Sequence, residues 1–119
     1  MKMLGGVSNQ GVFARTRTFK TSLTKADVGK AVAMVGNNEV GLGTDGATFV
    51  GKLVRVEKDG AGTVECFGNV KVPYSGSLSL GKPVVVDGTG KVKDAGTGVN
   101  GRGFAAVVDT TASTVEVEL

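Results

Sequence analysis

Histidine and tryptophan are missing from this chain, and cysteine occurs once. Without His, the commonest general base and metal ligand is gone. The lone Cys66 forms no internal disulfide, and a metal or nucleophile role would need partners that the chain does not supply. No catalytic residue, cofactor or metal is therefore expected. Without Trp there is no sugar-stacking platform, and aromatic residues are only 5% of the chain. No stretch approaches the roughly 20 apolar residues of a membrane helix, so no membrane partner is expected. Met1-Lys2-Met3-Leu4-Gly5-Gly6 lacks the apolar run of a secretory signal, which suggests synthesis in the cytoplasm.

Glycine is abundant instead, at 20 of 119 residues, while proline is only 2. Glycines spread between Val-rich runs suit many tight turns joining short strands. The apolar and β-branched content argues against disorder, and the length suits a single domain with one modest core.

The chain repeats itself. At an offset of 52 the identities are Gly29/Gly81, Lys30/Lys82, Val32/Val84, Gly36/Gly88, Val40/Val92, Gly46/Gly98, Gly51/Gly103 and Val56/Val108. One residue then drops out, and Thr63-Val64-Glu65 meets Thr114-Val115-Glu116. Matches on glycines and alternating apolar residues indicate a repeated backbone path. Repeats over about 28–67 and 80–119 are too small to stand alone and should share a core. The expected organisation is an N-terminal arm and first strand over 1–27, followed by a duplicated β domain over 28–119.

Strands are predicted at Ala31–Val35, Glu39–Leu42, Phe49–Glu57 and Thr63–Phe67, and again at Pro83–Val86, Lys91–Lys93, Gly103–Val108 and Thr114–Leu119. Residues 11–20 form a further strand with mixed faces, Ser22–Asp27 a polar connection with at most one helical turn, and residues 68–76 a link. The expected fold is all-β: a small antiparallel β-barrel or sandwich built from two similar β repeats, with an extended N-terminal arm.

Several motifs fail on context. Gly41-Leu42-Gly43-Thr44-Asp45-Gly46 matches a dinucleotide fingerprint, but a strand pattern follows where a helix should receive the pyrophosphate. Gly46–Leu53 approaches a P-loop, with Leu53 where a hydroxyl should hold Mg²⁺. Ser22-Leu23-Thr24-Lys25 fits S-x-x-K without the companion motifs. Glu57/Asp109 and Glu65/Glu116 are repeat equivalents, not two carboxylates in contrasting environments as a glycosidase requires. These readings favour a binding or structural protein over an enzyme.

Charge is uneven. Residues 1–30 carry six basic side chains against Asp27 alone, while the other 89 residues hold 8 basic and 10 acidic ones. A basic leading segment suits contact with an acidic surface, or a solubilised edge strand. Phe13-Ala14-Arg15-Thr16-Arg17-Thr18-Phe19 also has the character of a single-strand stacking surface. No basic face elsewhere supports that, so nucleic acid is a runner-up partner.

Leu80-Gly81-Lys82-Pro83-Val84-Val85-Val86-Asp87-Gly88-Thr89-Gly90-Lys91-Val92, then Gly101-Arg102-Gly103-Phe104-Ala105-Ala106-Val107-Val108-Asp109, resembles the capsid decoration (cement) proteins of tailed bacteriophages. The likeness covers about 40 residues well, ends in the strand Thr114–Leu119, and departs at the basic N-terminus. It implies a virion protein on the outer capsid surface, bridging major capsid protein subunits, with homotrimers as the implied self-association. A tail or fibre component is the alternative structural role. The candidate capsid-binding residues are Val12, Phe13, Arg15, Arg17 and Phe19, the arm adding a strand to a neighbour's sheet edge. Lys52, Arg55 and Arg102 are secondary candidates on the body.

Overall fold

The computed structural model of the chain describes residues 15–119. It is all-β apart from one 3₁₀ turn, Lys25–Asp27. The first half holds β1 (Arg15–Thr21), β2 (Ala31–Gly36), β3 (Glu39–Gly41), β4 (Gly51–Val56) and β5 (Ala61–Phe67). They close into a barrel in the order β1-β3-β2-β4-β5, with β5 returning to β1. Within this barrel the expected antiparallel pairing holds except for β1 with β3, which run parallel through Lys20–Glu39 and Thr21–Val40. The polar connection after β1 carries the chain across the barrel end before β2 begins, so β1 enters beside β3 in the same direction. Its 3₁₀ turn is fixed by Asp27, which accepts from the Thr24 N–H at 3.0 Å and pairs with Lys30 Nζ at 2.7 Å. These contacts, that of Lys30 foremost, hold the Asp27 carboxyl below its ordinary pKa.

The second half holds β6 (Asn69–Pro73), β7 (Val84–Val86), β8 (Val92–Asp94), β9 (Phe104–Asp109) and β10 (Thr114–Glu118). Its strands follow the same order but form two open sheets, β6-β10-β9 and β7-β8, joined by single bridges where the first unit closes into a barrel. β6 pairs antiparallel with β10 as β1 does with β5, and a parallel bridge from Tyr74 to Val92 stands where β1 meets β3. The backbone bonds repeat as well. The Gly29 N–H donates to Leu53 O at 2.7 Å, and Gly81 to Ala105 O at 2.8 Å. Val50 N–H donates to Val32 O at 2.9 Å, and Arg102 N–H to Val84 O at 3.0 Å. The unit that repeats therefore begins one strand earlier than the sequence identities suggest, at β1 and at β6. β1, grouped with the arm above, is an integral barrel strand, and the stretch taken as a link contains β6.

Each unit has its own apolar interior. The first is filled by Phe19, Val32, Val40, Leu53, Val64 and Cys66. The second holds Val72, Val84, Val92, Ala105, Val115 and Val117, joined by Val86. Val32/Val84, Val40/Val92, Leu53/Ala105, Val64/Val115 and Cys66/Val117 are repeat equivalents, so inward positions are conserved between halves by strand alternation. The second set is smaller, with Ala105 for Leu53. Ala31, Ala33 and Phe49 of the first unit complete it, each fully or almost fully buried there. Ala31 and Ala33 sit on the opposite face of β2 from Val32, so one strand serves both interiors. Close packing explains the exchange: space left by the smaller side chains is taken by the Phe49 ring.

Candidate functional site

The corresponding ends of the two units differ where Phe49 acts. Gly46–Phe49 of the first unit runs beside β7. Gly46 N–H donates to Val86 O at 2.9 Å, Val86 N–H donates to Ala47 O at 3.0 Å, and Thr48 bridges Val85. This adds a strand to β7 where its pairing towards β9 stops, and it delivers Phe49 into the cluster containing Val86 and Val117.

Met34 and Cys66 are the first-unit counterparts of Val86 and Val117. They line an open cleft of about 400 Å³ with Arg17, Phe19, Asn38, Val50, Phe67 and Arg102. The β2–β4 ladder ends at Val32. Since Val32 O faces β4, strand alternation aims the Met34 N–H and C=O the same way, past the end of that ladder. Among the described residues no strand pairs with β2 on that side beyond Val32. Met34 is 45% exposed and Phe67 48%, a pair of large apolar side chains at the rim. The mouth is cationic: two arginines line it and no carboxylate does.

The arginines have different roles. Arg17 lies 5.0 Å over the Phe19 ring, a cation–π placement that leaves its donors at the mouth. Arg102 is bound to the scaffold. Its guanidinium donates to Phe49 O at 3.1 Å, Val50 O at 2.6 Å and Cys66 O at 2.7 Å, and sits 5.6 Å from the Phe67 ring. It occupies the position equivalent to Val50 and clips the second unit to the first.

A larger hollow of about 800 Å³ borders β4, lined by Lys25, Val28, Val54, Arg55, Val56, Glu57, Lys58 and Asp59. Three cations and two carboxylates share it, and Arg55 pairs with Glu57. Such a mixed, solvated groove offers a ligand little that water does not. Among the described residues, no three His, Cys, Asp or Glu side chains gather to hold a metal ion. No helix there is long and apolar enough to cross a membrane.

The candidate partner-binding residues are distributed as follows. Val12 and Phe13 lie outside the described residues. Arg15 is exposed at the start of β1, opposite Phe67 of β5. Arg17 is exposed at the mouth. Phe19 is 6% exposed and belongs to the barrel core, because β1 is a closed-barrel strand whose inward face carries Phe19 and Thr21. Of the body candidates, Lys52 is half-buried on β4, Arg55 is exposed and ion-paired, and Arg102 is committed to the three carbonyls. Met34 and Phe67 were not singled out by sequence. Their signal was a mismatch between repeats, since Phe67 aligns with Glu118 and Met34 with Val86.

Asp87, in the turn after β7, has a carboxyl held below its ordinary value. Burial opposes ionisation there, but the Thr89 N–H, the Ser75 and Thr89 hydroxyls and the Lys91 N–H outweigh it by bonding the charged form. No protein-family model matches the chain, and no curated protein matches it.

Proposed function

We propose that this chain is a non-enzymatic virion structural protein. It binds the outer surface of an assembled phage head and stabilises it by bridging major capsid protein subunits. The observation that carries this reading is the barrel and its sheet-built repeat, clipped into one body by Arg102, with one apolar, cationic mouth left uncovered by the described residues. Two rigid units side by side suit contact with two neighbouring subunits, and a shell repeats such contacts many times, so modest affinity per site is enough. The resemblance of residues 80–109 to decoration proteins points the same way. Arg17 at the mouth and Arg15 beside it supply donors for acidic coat residues, an interaction weakened by salt.

The test is co-sedimentation of the full-length protein with assembled, DNA-filled heads that lack it, alongside free coat subunits. Saturation at a fixed copy number per capsomer, with no binding to free subunits, is the expected result. Failure to bind any shell overturns the reading and favours a tail or fibre role. Trimming at residue 14 separates the contribution of the leading segment without cutting β1.

A further inference from the structure

The two units share a strand order, yet among the described residues one receives an added strand and an aromatic plug and the other does not. In the second unit, Gly46–Thr48 extends the sheet beside β7 at Val85 and Val86, and Phe49 is fully buried behind it. In the first unit the equivalent edge is Ala33 and Met34 of β2. It faces a cleft whose lining includes the counterparts of the residues that Phe49 meets. We infer that the first-unit mouth is an acceptor groove for an extended segment of a partner protein. That segment pairs with β2 beyond Val32, inserts an aromatic side chain between Met34, Phe67 and Cys66, and presents a carboxylate to Arg17. The inference rests on the proposed function and gives it an attachment chemistry.

Three observations define the occupant. The internal donor fixes its conformation, because a strand laid on the same edge of the sister unit uses the N–H and C=O of Val86, and Met34 offers the equivalent pair. The cleft fixes its side chain. A volume of about 400 Å³ with Phe19, Met34, Val50, Cys66 and Phe67 in its walls suits one aromatic ring, and rim apolar groups gain by leaving water. The charge fixes its sign, since two arginines and no carboxylate line the mouth. Arg102 spends its donors on carbonyls, which leaves Arg17 as the group that meets the partner's acid.

The chain itself contains a suitable probe. Thr44-Asp45-Gly46-Ala47-Thr48-Phe49-Val50 carries the donor strand, the aromatic residue and an acid. A synthetic peptide of this sequence is titrated into the full-length protein, with the Met34 methyl signal and the amides of Met34, Phe67 and Val86 followed by NMR. The expected result is saturable shifts at Met34, with a tenfold or greater loss of affinity when the peptide Phe is replaced by Ala. Met34→Lys, at an exposed site that leaves the core intact, abolishes the saturable shifts of the Phe67 amide at the same mouth while circular dichroism stays unchanged. Shifts at Val86 without shifts at Met34, or no difference between the Phe and Ala peptides, would overturn the proposal. So would stronger competition for the mouth by oligothymidylate, or concentration-dependent dimers broken by Met34→Lys, which would make nucleic acid or a second copy the occupant. No step uses shells, so peptide binding and head binding fail independently.

Discussion

The first and second units share a five-strand order and equivalent inward residues, but the first closes into a barrel while the second stays as two open sheets, and they fill their interiors differently. The first unit is self-sufficient: Phe19 and Leu53 occupy its centre. The second has half-buried Tyr74 and the small Ala105 at the equivalent positions, and Phe49 of its neighbour completes the interior. The second unit thus depends on the first, and among the described residues nothing fills the first unit's own mouth. Asymmetry between like halves, more than any motif, marks where this molecule can meet something else.

The comparison breaks most sharply at Phe49. Phe49→Ala removes the plug and leaves a cavity bounded by Val86 and Val117, with an expected cost of about 3–5 kcal/mol in urea unfolding. An exposed phenylalanine at the rim of the first unit, Phe67→Ala, serves as the reference and changes stability far less. Next comes the clip. Arg102→Ala orphans three carbonyls that now accept from one guanidinium, with an expected loss of about 2–3 kcal/mol. Arg102→Lys recovers only part, because an ammonium lacks the planar fork.

Exchanging core residues sharpens the account further. Ala105→Leu restores the first unit's residue in the second but meets Phe49, and overpacking costs about 1–3 kcal/mol. Combined with Phe49→Ala, the added Leu fills part of the cavity. The double variant is therefore more stable than the sum of the single losses, and a double-mutant cycle reads that coupling. Strict additivity would mean that the two side chains do not share the space.

The smallest expected effect concerns acid. Asp87 is held below its ordinary value of 3.8, so its bonds stabilise the fold above that pH. That contribution is lost as pH falls below 3.8 through the depressed folded value. Ser75→Ala removes one of those bonds. Its stability deficit is full near neutrality and shrinks on acidification, as urea midpoints across that range would record. A deficit that grew in acid would contradict this assignment.

Much of this was legible in the sequence. Alternating Val32, Val40, Val64 and their partners 52 or 51 residues on located the inward faces, and nine of the ten strands fell near their expected places. β6 was missed because Val70 and Val72 alternate for only three residues between Gly68 and Pro73, too short a run to distinguish from a loop. Phe49 was placed in a strand, although β4 starts at Gly51, because a fully buried plug and a strand residue look the same by hydropathy. The parallel pairing of β1 was invisible, since pairing direction depends on where the connection crosses the barrel. The mouth was only faintly signalled, by apolar residues at Met34 and Phe67 whose equivalents differ. Arg102 read as a surface cation because no local pattern announces three carbonyls supplied by a distant unit.

Native-state amide hydrogen exchange at two equivalent residues tests the central comparison most directly. The Val86 N–H, bonded to Ala47 O, should be strongly protected, while the Met34 N–H should exchange close to the rate of an open strand edge. Equal protection of the two would contradict the account, because it would mean that the first mouth is already closed by the chain itself.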